Sequence, residues 1–240
     1  MLTATIDELR AIALAADDAS GYFPAMYARI THDVEAAAAA GRFTNGPRME
    51  AFARTFAGWY PPLGDDPGRL SGSWRAAFDV AGDEGLMVVQ HLLLGINAHV
   101  NHDLPQVVVE LAAPGTELAD LRPDFDSVNA ILRESLPTVL RSLGTVSRWV
   151  NTAAVFGGRQ LFDFSLQVAR RRAWDAAVRM HALDEEARAK YVIELDELVR
   201  VLAYLVANPG PVSRLGVRLG RRCEERDPRT VTIQLLGPLA

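Results

Sequence analysis

Residues 90–105 read Gln90-His91-Leu92-Leu93-Leu94-Gly95-Ile96-Asn97-Ala98-His99-Val100-Asn101-His102-Asp103-Leu104-Pro105. The stretch holds three of the chain's five histidines, two asparagines, a glutamine and an aspartate, set among apolar residues. Its apolar content predicts a buried helix. A polar group taken out of water without a partner costs roughly 2–7 kcal/mol, so these side chains must bind one another, a metal or a ligand.

A helical wheel sorts them at about 100° per residue. With His91 at 0°, His102 falls near about 20°, His99 near about 80° and Asp103 near about 120°. Gln90, Asn97 and Asn101 fall together near about 240–280°. The helix therefore carries a histidine stripe and an amide stripe, with Val89, Leu93, Ile96 and Val100 between them. Gly95 lies on the histidine stripe, where a missing side chain admits a close neighbour.

His99 and Asp103 are i and i+4 and reach one point beside the helix. Two chemistries follow from the pair. Asp103 orients the imidazole for acid–base work, or both side chains begin a site for a divalent metal such as zinc. A metal needs three or four ligands, and His32, Asp33, Asp163 and Asp175 are the remote candidates. His91 lies about 12 Å along the axis from His99, too far for a simple shared shell. His102 sits near the expected helix end, toward solvent. Asn97 and Asn101 either position a substrate or cap a neighbouring backbone. A histidine on a buried helix is also commonly a satisfied core residue, so a purely structural polar network competes with both chemistries.

A second set lies on a helix expected over 159–181. Asp163, Arg170 and Trp174 share one side of it, and an arginine beside an indole suits a carboxylate or phosphate. An internal salt bridge competes with that reading. Tyr22, Phe23, Tyr27, Phe52, Phe56, Trp59, Tyr60, Trp74 and Phe78 cluster early in the chain and serve a core or line an apolar cavity. No phosphate loop, dinucleotide fingerprint or nucleophile elbow is present.

The elements that must hold these residues are helical throughout. Apolar residues recur at helical spacing, and only Val107-Val108-Val109 and Val231-Thr232-Ile233 read as β-like. Nine to eleven helices are expected: from a cap at Thr5 to Ala16, 22–40 stopped by Gly41, 47–60, 73–80, 86–102, one from Pro105, 124–143 bent at Pro137, 146–155, 159–181 and 184–207. With 240 residues, 49% of them hydrophobic, the chain can bury a large core. The expected fold is a single all-α domain over 1–240, a multi-helix bundle around a buried central helix, with the tail 212–240 peripheral.

Charge and cysteine narrow the partners. A net charge of −5 argues against a nucleic-acid binder. The single cysteine excludes an intrachain disulfide, which suits a reducing cytoplasm. The N-terminus lacks a basic region followed by an apolar run, so no signal peptide is expected. No apolar run reaches the length of a membrane span. Oligomeric state leaves no mark in the sequence.

Leu94-Gly95-Ile96-Asn97-Ala98-His99-Val100-Asn101-His102-Asp103-Leu104 resembles the Leu-Gly-Met-Asn-Ala-His-Ile-Asn-x-Asp-Leu signature of a bacterial all-helical family catalogued as a domain of unknown function. Met26-Tyr27-x-x-x-Thr31 and Ala169-Arg170-x-x-Ala173-Trp174 are similar to its pattern. The resemblance spans most of 20–210 and implies that Asn97, His99, Asn101 and Asp103 belong to a shared site, with His102 at a variable position. It brings no activity. A fainter similarity is to the all-helical zinc-dependent phospholipases C and related nucleases, which place His-x-x-x-Asp on a helix. The chain lacks their other histidine motifs.

Taken together, the residues suggest an enzyme acting on a small apolar molecule, by acid–base or metal-assisted hydrolysis, cyclisation or elimination. His99 and Asp103 would do the chemistry, and His91, Asn97, Asn101, Asp163, Arg170 and Trp174 would hold the substrate. A non-catalytic ligand-binding protein and a structural protein are the competing expectations.

Overall fold

The structure, a computed structural model, describes residues 2–62, 64, 70–112, 117–150 and 158–237, without the side chains of 158–162, 164 and 211–213. Among the described residues there are eleven α-helices and no strand. They are α1 (Thr3–Ala15), α2 (Tyr22–Ala39), α3 (Gly46–Gly58), α4 (Gly72–Phe78), α5 (Val88–Ala98), α6 (Leu104–Leu111), α7 (Leu118–Val146), α8 (Gly158–His181), α9 (Glu185–Ala207), α10 (Pro211–Arg221) and α11 (Pro228–Leu236). Both β-like valine runs are helical, in α6 and α11. The helix expected over 146–155 falls partly on residues outside the described ones.

Local chemistry sets most boundaries. Asn45, Ser71, Asp184 and Asp227 each accept a backbone N–H of the first turn they precede, at α3, α4, α9 and α11. Gly41, at φ 69°, follows the end of α2. Thr5 is no cap: α1 already starts at Thr3, and the Leu2 N–H is held by Glu35 of α2.

The central helix departs most from expectation. It does not stop at His102. A π-helical turn, His99–Asp103, joins α5 to α6. The Leu104 N–H bonds the carbonyl of His99, five residues back. Pro105 lacks an N–H, and its ring crowds the carbonyl four residues earlier. Widening the preceding turn lets the chain continue through the proline. Such π turns recur at functional sites.

This continuous helix is buried beneath α2, α4, α8 and α9. Leu92, Leu94, Ala98, Leu104, Val107 and Val108 on it are all but inaccessible. The tail is not peripheral throughout. α11 inserts Val231, Leu235 and Leu236 into the core against α2 and α7, which follows from their spacing along one helical face. No helix among the described residues is long and apolar enough to cross a membrane.

Candidate functional site

Asp103, only 1% exposed, is the hub of the central turn. His99 Nδ1 lies 3.0 Å from its Oδ2, His102 Nδ1 lies 2.7 Å from its Oδ1, and Trp74 Nε1 donates to Oδ2 at 2.8 Å. A carboxylate offers only acceptors, so each ring nitrogen facing it carries the proton. His102 is therefore not at a solvated helix end, where the expected boundary at 102 placed it. It is 5% exposed and shares the carboxylate with His99. Trp74 reaches Asp103 because Asp196 of α9 accepts the Gly72 and Ser73 N–H groups, at 2.7 and 2.9 Å, and pins the start of α4. Burial pushes the Asp196 carboxyl up, but these bonds outweigh it and hold it below the ordinary aspartate value.

His99 Nε2, on the opposite side of the ring, is buried with no hydrogen-bond partner among the described residues. Phe56 stacks on the imidazole with centroids 3.7 Å apart, and the Tyr27 ring meets it edge-on at 4.8 Å. Burial lowers the His99 pKa from its ordinary value, against the opposing pull of Asp103. The ring is thus neutral at neutral pH, with Nδ1–H on Asp103 and a lone pair on Nε2. In an apolar setting that is the arrangement of a general base whose cation a neighbouring carboxylate stabilises.

The ring borders a cavity of about 130 Å³. Phe23 and Tyr27 of α2, Phe52 and Phe56 of α3, and Val128 and Leu132 of α7 form its apolar wall. Asp163 and Arg170 of α8 border it as well. Arg170 is 5% exposed. Its Nε donates to Asn129 Oδ1 at 2.7 Å and its Nη2 to the Phe125 carbonyl at 2.8 Å. Asp163 accepts from Gln167 at 2.9 Å. Tyr27 makes no side-chain hydrogen bond among the described residues, and burial pushes its phenol well above the ordinary value.

Four expected site residues, His99, Asp103, Asp163 and Arg170, thus belong to this cavity or its immediate support. Four others lie elsewhere. Asn97 Nδ2 donates to the Val199 carbonyl of α9 at 2.9 Å, and Asn101 Nδ2 donates to Asn97 Oδ1 at 2.9 Å. With Gln90, which donates to the Val206 carbonyl at 2.7 Å, the amide stripe binds α9. Trp174 packs against Phe125, with Arg122 rather than Arg170 over its ring. His91 meets the Tyr22 ring edge at 5.9 Å and lines a separate polar cavity with Asp17, Asp18, Asp83 and Arg221.

The metal alternative finds no ligand set. His99 and Asp103 spend their facing atoms on each other, and all three donors around Asp103 are N–H groups. Among the described residues, no group of three or more His, Cys, Asp or Glu side chains is arranged to hold an ion. His32 and Asp33 pair with each other on α2, and Asp33 accepts from Ser135 of α7, lining a third cavity.

Sequence placed Trp74, Tyr27 and Phe56 only in the early aromatic cluster, as core or cavity lining, and did not single out Asn129. A buried indole needs an acceptor and a buried carboxylate needs donors, which is the one signal that could have linked Trp74 to Asp103. Nothing local marks Asn129.

No curated protein and no solved structure matches the chain. A family model does match, over residues 2–209, and it covers the central helix, the cavity and every residue of the Asp103 network while leaving out α10 and α11. The chain belongs to this family, a family of unknown function designated DUF5995.

Proposed function

We propose that the protein is a small-molecule enzyme that binds an apolar substrate in the cavity beside His99 and uses His99 as a general base. One observation carries the reading: a buried, neutral imidazole keeps Nδ1 on Asp103 and leaves Nε2 without a partner among the described residues, beside an apolar cavity. A histidine serving only the core would have both nitrogens satisfied. The base takes a proton from water or substrate, and Asp103 stabilises the imidazolium that forms. Hydrolysis, elimination and cyclisation all open with such a transfer. The cavity is close in size to an engineered apolar cavity of about 150 Å³ that accepts benzene, so the reacting part of the substrate is ring-sized.

Hydrolysis is the form tested first. The full chain is assayed on short-chain and aromatic p-nitrophenyl esters, with His99→Gln alongside. Turnover by the wild type that drops about a hundredfold or more in His99→Gln supports the proposal. No turnover, or equal rates in the two proteins, sinks the hydrolytic reading. A ligand-binding protein without catalysis is the second reading, favoured by the same cavity if probes bind without being turned over.

A further inference from the structure

Arg170 presents a problem that its neighbours do not solve. The side chain is buried, yet its hydrogen bonds go to two neutral oxygens, Asn129 Oδ1 and the Phe125 carbonyl. The guanidinium carbon lies 4.2 Å from the Phe125 ring centroid, another uncharged contact. Among the described residues it makes no ion pair, and its Nη1 has no hydrogen bond. Asp126 acts on it only at range, and burial pushes its pKa down to about 10, which still leaves it a cation at neutral pH. A buried cation without a contacting anion is costly and is normally paired. Arg170 also borders the cavity that His99 borders.

We propose that the cavity takes a small apolar monocarboxylate, an aromatic or short-chain acid whose carboxylate sits on the guanidinium edge that Asn129 and Phe125 leave open. The proposal rests on reading this cavity as a ligand site. One charge balances one guanidinium, and the planar fork of arginine matches a carboxylate. A phosphate fits worse. It brings more charge and wants several donors, whereas the rest of the lining is apolar apart from His99, Thr31, the Tyr27 phenol and the repelling carboxylate of Asp163. Phe52, Phe56, Val128 and Leu132 meet the apolar body. The expected size, ring-like or a few carbons, follows from the cavity volume of about 130 Å³.

The test is calorimetric titration of the full-length protein with benzoate, phenylacetate and hexanoate, each against its neutral amide. Each acid is expected to bind about tenfold tighter than its amide, or more. Arg170→Gln is expected to abolish the preference while the amide still binds. Because Arg170 also ties α8 to α7, Arg170→Lys is measured too; it keeps a cation but loses the fork, and its preference falls between the two. Equal binding of acid and amide by the wild type, binding of neither, or full preference in a folded Arg170 variant overturns the proposal. The preference is read without turnover, so it stands or falls separately from catalysis by His99.

Discussion

His99 and Asp103 face each other across a π turn, Nδ1 to Oδ2 at 3.0 Å, and the same turn brings His102 to the other oxygen of the carboxylate. One widened turn therefore places two imidazoles on one carboxylate, and Trp74 completes the set from α4. The arrangement gives His99 a fixed tautomer: its proton stays toward Asp103, and its lone pair stays on Nε2.

Asp103→Ala removes the acceptor of three N–H groups at once. Each buried donor left unpaired costs about 1–3 kcal/mol, so a loss of several kcal/mol is expected in urea denaturation. Asp103→Asn should be milder. Its oxygen can keep the Trp74 indole, which has no second tautomer, while its NH2 turns toward His102, whose Nδ1 can become an acceptor. A wild-type midpoint in both variants would show that the carboxylate holds nothing together.

The pH dependence has a definite sign. Burial holds the His99 pKa below the ordinary 6.5 in the folded state. Between that lowered value and 6.5, the unfolded chain binds a proton that the folded chain does not. Stability is therefore full above 6.5 and falls as the pH drops through this window, by up to about 1.4 kcal/mol per pH unit for one group. His91 is shifted the same way by its own burial. His99→Gln should flatten part of the slope, and His91→Gln the rest. For turnover, kcat/KM rises with pH to a plateau already reached at neutrality. A midpoint above 6.5 would assign the base to another residue.

The helices were legible because their periodicity is local: the starts expected at 47, 73 and 184 fall within a residue of those of α3, α4 and α9, although the one cap expected, Thr5, caps nothing. The i, i+4 spacing of His99 and Asp103 was legible for the same reason. The π turn was not. A helix expected to end at 102 put His102 toward solvent, and the only hint otherwise was Pro105, which could equally have ended the helix. Arg170 and Trp174 are also i, i+4, and both meet the Phe125 ring of α7, yet their polar partners differ. Arg170 reaches Asn129 and the Phe125 carbonyl, while Trp174 meets Arg122. Long-range partners of this kind leave no spacing to read. The basic residues before α11 concealed a helix whose apolar face fits the core.

The amide stripe offers a contrast between scaffold and site. Asn97 holds the Val199 carbonyl and receives the Asn101 amide. Asn97→Ala removes both hydrogen bonds and is expected to cost about 1–3 kcal/mol. Because neither group lines the cavity, probe-ester turnover and the acid-over-amide preference should stay near wild type at temperatures where the variant is folded. A tenfold loss of either, about 1.4 kcal/mol, would return Asn97 to the site.

Gly95 tests how tightly the central helix must approach α2. A Cβ built there would lie 2.6 Å from both Cγ and Cδ2 of Phe23 and 2.8 Å from its Cβ. Rotating the ring cannot relieve a contact that includes the Phe23 Cβ, so α2 itself must shift. Overpacking of this kind costs about 1–3 kcal/mol, offset in part by the better helix propensity of alanine, roughly 1 kcal/mol. Phe23 also borders the cavity and meets the His99 ring at 5.5 Å and Trp74 at 5.4 Å. Moving it disturbs the His99 ring, the Trp74 indole and the cavity together. Gly95→Ala is therefore expected to lower the urea midpoint modestly and to weaken probe binding more than stability alone explains. A variant with wild-type midpoint and wild-type binding would mean that α2 does not close on the central helix as tightly as this contact requires.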